Sequence, residues 1–110
     1  MPSCSKNEVI LVRYPFSNLS GSKVRPAIVV NAPHSSQDVI IVPLTSRVSA
    51  LLAGEFVLAD WKASGLNVPS AAKRGIYTLQ QSLIMKSVGN LSGADADSLE
   101  DSLRVWLGLG

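Results

Sequence analysis

Val24-Arg25-Pro26-Ala27-Ile28-Val29-Val30-Asn31 and Asp38-Val39-Ile40-Ile41-Val42-Pro43-Leu44 are two apolar, β-branched runs. Between them lies Ala32-Pro33-His34-Ser35-Ser36-Gln37, a stretch rich in turn formers. The pattern predicts one β-hairpin. With the hairpin symmetric about Ser35, residues pair when their numbers sum to 70: Asn31 with Val39, Val29 with Ile41, Ala27 with Pro43 and Arg25 with Thr45. Opposed residues in antiparallel strands hold their Cβ atoms about 4.5–5.5 Å apart. A guanidinium and a hydroxyl thus meet where the two strands open into loops. A slip of one residue would turn every side chain to the other face and break the pairing.

Working outward, Glu8 to Tyr14 is almost continuously apolar, as in a strand covered on both faces, and Pro15 ends it. Phe16 to Ser22 is a polar loop that stops just before Arg25. Downstream, Ser46 to Gly54 is a connection, and Glu55 to Ala59 reads as a short strand. Asp60 to Leu66 reads as one helical turn, capped by Asp60 and ended by Gly65. Asn67 to Ser70 is a turn around Pro69. Ala72 to Leu79 and Ser82 to Leu91 hold two more strands, with helix an alternative over Gln80 to Lys86. The helix signal is clearest over residues 92–108. Ser92-Gly93-Ala94-Asp95 is a capping-box-like start with Asp in the place of Glu. Leu99, Leu103, Trp106 and Leu107 then form one apolar stripe. Acidic residues crowd the first half, where the macrodipole favours anions. The expected fold is mainly β: a small, strongly bent antiparallel β-barrel, part-open, with the C-terminal α-helix as a lid.

Composition narrows the function classes. The 110 residues suit one domain, 1–110, with residues 1–7 expected to be flexible. The chain is 46% hydrophobic and 16% charged, which argues against disorder. No apolar run approaches the ~20 residues of a membrane span, and the first residues lack the apolar core of a signal peptide. One cysteine, Cys4, cannot form an internal disulfide, in keeping with a reducing, cytoplasmic setting; on a frayed terminus it reads as an ordinary residue. One histidine and one cysteine give no metal-ligand spacing, so neither a metal nor another cofactor is expected. No Gly-rich phosphate loop precedes a helix. His34, at the hairpin tip, reads as a solvated turn residue. A net charge of +2 permits a nucleic-acid partner without requiring one.

Pro26 biases Arg25 toward extended backbone. Pro43 cannot donate to a ladder, so it marks an edge or bulge two residues before Thr45. Both side chains therefore sit on stiff backbone, with Ser20, Ser22, Lys23, Ser46 and Arg47 near in sequence. A planar guanidinium grips two phosphate oxygens at once, and a hydroxyl adds a donor for charge developing on phosphorus. The plainer alternative makes Arg25 a strand-edge ion-pair partner and Thr45 an ordinary strand residue.

Three blocks resemble the MazF/PemK toxin family: Val9 to Ser17, Gly21 to Val30 with its Arg25-Pro26-Ala27, and Val39 to Ser46 with its Thr45-Ser46. Leu58-Ala59-Asp60-Trp61 and the segment from Thr78-Leu79 to Ser82-Leu83-Ile84 resemble one PemK-like branch of it. The resemblance runs from about Glu8 to Ser92. It implies a CcdB/PemK-type bent barrel, usually a homodimer, and a metal-independent, sequence-specific endoribonuclease of the mRNA interferase type, cutting single-stranded RNA, often messenger RNA, at short sequences. It also implies a cognate antitoxin as partner, with operator DNA bound only through the toxin–antitoxin complex. Arg25 matches the family's motif arginine and Thr45 its catalytic threonine or serine. The implied reaction is attack of the RNA 2′-hydroxyl on its own phosphate, leaving a 2′,3′-cyclic phosphate and a free 5′-hydroxyl. A guanidinium stays protonated far above neutrality and is a poor general base, so electrostatic stabilisation is the role expected of Arg25. Ser22, Lys23, Ser46, Arg47 and Lys73 are the backbone-binding candidates. Tyr14 and Phe16 are either base-stacking platforms or core residues.

Two positions depart from the family pattern. Asn7-Glu8 stands where Gly-Asp usually opens the first strand, and Lys73-Arg74-Gly75 replaces a region that usually carries an acid. Two competing readings follow: a CcdB-like toxin that poisons gyrase by binding alone, with weight on Trp106 to Gly110, or an inactive family member that only binds a partner.

Overall fold

A computed structural model describes residues 5–14, 23–32, 35–36 and 38–109. Seven strands and one helix follow in chain order: β1 (Glu8–Tyr14), β2 (Lys23–Val29), β3 (Val39–Thr45), β4 (Phe56–Val57), β5 (Ala71–Ala72), β6 (Tyr77–Leu79), β7 (Ile84–Asn90) and α1 (Gly93–Leu107). They build one antiparallel sheet in the order β4-β5-β3-β2-β1-β7, with β6 also paired to β3. The sheet is strongly bent but does not close into a barrel, because β4 and β7 end it. Two register shifts between β1 and β7, at Val9/Ile10 and Leu11/Val12, contribute local bends.

The hairpin register is the expected one: Ala27 pairs with Pro43, Ile28 with Val42 and Val29 with Ile41. Near the tip, the Asn31 side-chain oxygen accepts from the Ile40 N–H at 2.9 Å, extending the ladder. Alternate side chains feed two cores. Val9, Ile28, Val42 and Leu44 join Leu58, Ala72 and Leu99 in one. Ile10, Val12, Ala27, Val29, Val39 and Ile41 join Leu79 and Ile84 in the other. With both faces covered, the continuous apolar run of β1 is what burial requires.

Ala72 to Leu79, expected as one strand, is two. Both pair with β3, Tyr77–Leu79 against Val39–Ile41 and Ala71–Ala72 against Leu44–Thr45. The gap falls opposite Pro43, which has no N–H to give to a ladder. Only the Pro43 carbonyl is used there, accepting from the Lys73 N–H at 3.0 Å. Lys73 and Arg74 therefore leave the sheet at this break. The Gln80 to Lys86 ambiguity resolves as a 3-10 turn over Gln81–Leu83 running into β7. Asp60 to Leu66 closes as hydrogen-bonded turns rather than a helix. Gly65 ends them at φ +91°.

The helix starts as expected, with the Ser92 hydroxyl accepting from the Asp95 N–H at 3.2 Å. The reciprocal half of the capping box is absent. The Asp95 carboxylate, 2% exposed, instead accepts from the backbone N–H groups of Ala59 (2.8 Å) and Asp60 (2.9 Å). Leu99 is buried in the core, with Leu103 and Trp106 packed beside it. Leu107 corrects the expected stripe: it is 55% exposed, one residue's rotation beyond Trp106. Gly108 caps the helix in the left-handed conformation, φ 68°.

Candidate functional site

Beyond Ala27 and Pro43 the hairpin ladder ends, so the direct Arg25–Thr45 pair expected from the hairpin symmetry does not form. Arg25 pairs across to Val12 on β1, while Thr45 pairs with Ala71 on β5. Between them opens a cleft of about 820 Å³, lined by both residues. The strand ends deliver the rest. Ser46 and Arg47 follow β3, Lys73, Arg74 and Tyr77 come from the break opposite Pro43, Leu11 comes from β1, and Lys86 and Val88 come from β7. Gly65, Leu66, Asn67, Val68 and Ser70 complete the lining.

The electrostatics are one-sided. Arg25, Arg47, Lys73, Arg74 and Lys86 line the cleft, and no described lining residue is acidic. Arg104 pairs with Glu100 on the helix at 3.6 Å, and among the described residues none of these five cations forms an ion pair. Glu55 lies just behind them. Its carboxylate accepts from the Leu52 N–H at 2.8 Å and the Arg74 N–H at 2.9 Å. Those two bonds, in that order, hold its pKa below the usual value, helped by the charge of Lys73. Glu55 thereby fixes the backbone that carries Arg74 without entering the lining.

The Thr45 hydroxyl oxygen accepts from the Arg47 N–H at 3.1 Å. That bond uses one lone pair, holds the 45–47 turn and leaves the hydroxyl proton to be donated into the cleft. Arg25 is exposed on extended backbone, as its neighbour Pro26 dictates. The pair offers an anion one positive charge and several donors, two guanidinium N–H groups and one O–H among them, with further cations lining the same cleft.

Of the residues singled out from sequence, Arg25, Thr45, Ser46, Arg47 and Lys73 come together here. Ser22 and Phe16 lie outside the described residues, as do Cys4 and His34. For Tyr14 and Lys23 only the backbone is described; they pair with each other at the end of the β1–β2 ladder. Sequence reasoning missed Arg74, Lys86, Asn67, Val68 and Tyr77 as lining residues. Lys86 reaches the cleft through its pairing with Leu11, next to a register shift that no local pattern announces. The tryptophans serve the core: Trp61 packs on it under the Lys62 ammonium, 5.8 Å from the ring centroid, and the Trp106 N–H donates to Ala53. Asn7 and Glu8 are not among the lining residues. Among the described residues no group of three or more His, Cys, Asp or Glu side chains is placed to hold a metal ion. Among the described residues no helix is long and apolar enough to cross a membrane.

A family model for the PemK-like, MazF-like toxin of type II toxin–antitoxin systems matches residues 5–107. Among curated protein sequences nothing matches. Solved structures match the fold. An endoribonuclease in complex with its cognate antitoxin, from a mycobacterial species, superposes at TM-score 0.76 with 17% identity, over 100% of this chain and 98% of that one. A MazE–MazF structure from Deinococcus radiodurans gives TM-score 0.78 with 14% identity over 100% of both chains. The Mycobacterium tuberculosis toxin MazF-mt6 gives TM-score 0.72 with 18% identity, over 94% of this chain and 98% of that one.

Proposed function

Given that this chain belongs to the family of PemK-like and MazF-like toxins of type II toxin–antitoxin systems, we propose that it is a metal-independent endoribonuclease cutting single-stranded RNA. The observation that carries this reading is the meeting of Arg25 and Thr45 in an acid-free cleft lined by three further cations from β5–β7 and one from the end of β3. A polyanion is the ligand such a cleft suits.

In the reaction, the RNA 2′-oxygen forms a bond to the adjacent phosphorus and the bond from phosphorus to the 5′-oxygen breaks. The 2′-hydroxyl gives up its proton and the departing 5′-oxygen takes one, so the products are a 2′,3′-cyclic phosphate and a 5′-hydroxyl. Charge builds on the non-bridging oxygens at the pentacoordinate stage. In this reading Arg25 meets it with two N–H groups, and Thr45 adds an O–H. Lys23, Ser22, Ser46, Arg47 and Lys73 are assigned to the flanking phosphates and sugars, and Tyr14 and Phe16 to base stacking. Working as a cytoplasmic homodimer held in check by a cognate antitoxin fits the family, and the names of two structural neighbours include an antitoxin or MazE. Operator DNA would be bound only by the toxin–antitoxin complex.

The test is incubation of purified protein with a long single-stranded RNA in EDTA, followed by analysis of the ends. Cyclic-phosphate and 5′-hydroxyl ends are expected. Intact RNA in the presence of folded protein would move the assignment to a toxin that acts by binding.

A further inference from the structure

The cleft has cations on the strand ends and something different along residues 65–70. Here the backbone is locked from both sides. A Cβ on Gly65 would fall on the carbonyl of Val88, and one on Gly89 would fall on the carbonyl of Ser64, so segment and strand touch backbone to backbone. Leu66 is 9% exposed, and its N–H donates to Trp61 at 3.1 Å. On the far side, the Ser70 hydroxyl donates to the Val68 carbonyl at 3.0 Å, and the Ser70 carbonyl accepts from Leu58 at 2.9 Å. Asn67 and Val68 project from between these staples. Val68 is 50% exposed. Among the described residues the Asn67 carboxamide has no hydrogen-bond partner. Tyr77, 40% exposed and with its ring close over Gly75, lines the same cleft.

The chemistry divides accordingly. Contacts to phosphates carry no sequence information, whereas base edges are read by side chains whose donors and acceptors match them, a carboxamide on adenine among them. Asn67 is the one carboxamide in the described lining. It offers a donor and an acceptor side by side, as needed for a bidentate pair with an unpaired base such as adenine. Val68 and Tyr77 supply apolar and aromatic surface for the base plane. We propose that Asn67 is a specificity-determining residue, reading one base of the RNA, and that the stapled 65–70 segment pre-organises it. This rests on the ribonuclease reading above.

The test compares cut-site profiles of the wild type, Asn67→Ala and Lys86→Ala on one long RNA of diverse sequence, with filter binding of the same RNA run alongside. Wild type is expected to favour one base at a fixed position. Asn67→Ala should flatten the preference at that position alone and slow cutting at preferred sites by about tenfold to a hundredfold, the value of one bidentate base contact. Lys86→Ala should slow all sites alike and lower the salt dependence. An Asn67→Ala profile identical to wild type, or one lowered evenly at every site, overturns the inference. Wild-type cutting with no base preference overturns it too, while leaving the ribonuclease reading intact. Wild type that neither binds nor cuts RNA overturns both.

Discussion

The molecule treats charge in two opposite ways. Under the helix, one carboxylate, Asp95, is withdrawn from water and fully used, with both oxygens taken by backbone N–H groups. In the cleft, five cations stand together with no acid and no ion pair among the described residues. Burying a charge is costly unless its partners are built in, so Asp95 is evidence of a structural fastening. Keeping like charges together costs stability through mutual repulsion, and the cationic cluster is the feature on which the RNA-binding proposal rests.

The largest effect expected from this contrast is on the structural side. Asp95→Ala leaves two part-buried backbone N–H donors, those of Ala59 and Asp60, without their partner, at up to about 1–3 kcal/mol each. Chemical denaturation should show a loss of about 2–5 kcal/mol, and a loss under 1 kcal/mol would mean that water replaces the carboxylate. Leu99→Ala tests the packing beside it and should cost about 2–5 kcal/mol. On the other side of the comparison, Lys86→Ala should change stability by no more than about 0.5 kcal/mol. It should still reduce the slope of log affinity for single-stranded RNA against log salt by about 0.7. A Lys86 variant that unfolds the protein while sparing the salt slope would reverse the assignment.

Glu55 sits between the two regimes. Its folded pKa lies below the unfolded value, so its contribution is present above the unfolded pKa and fades as pH falls through the folded one. Melting temperatures from pH 6 downward should therefore fall less steeply below about pH 4.5 for Glu55→Gln than for wild type, since the usual glutamate pKa is about 4.3. The smallest effect belongs to Leu107, whose exposure predicts that Leu107→Ser changes stability by about 0.5 kcal/mol or less.

What could be read from sequence follows the range of the interaction. The hairpin register emerged from local symmetry, because turn residues and apolar runs are near-neighbour signals; the ladder ends at Ala27 and Pro43, so Arg25 and Thr45 share a cleft rather than the direct pairing that symmetry implied. Ser92 as the helix cap is equally local. Asp95 looked like half of a capping box, since its true partners lie 36 and 35 residues away. Lys86 and Arg74 escaped for the same reason. One depends on a strand pairing with two register shifts, the other on a strand break set by a proline in a different strand. Leu107 fitted a stripe by spacing, but a 15-residue helix with Leu99, Leu103 and Trp106 already facing the core turns Leu107 outward.

The most direct test of the central claim is the rate of RNA cleavage in EDTA by wild type, Arg25→Ala and Thr45→Ala at saturating protein, with folding checked by circular dichroism. Removing a donor aimed at developing oxyanion charge costs about 10²–10³ in rate. Both variants should fold, bind RNA and cut it slower by at least that order. Unchanged rates in both would show that the chemistry lies elsewhere and that the cation-lined cleft is not the site.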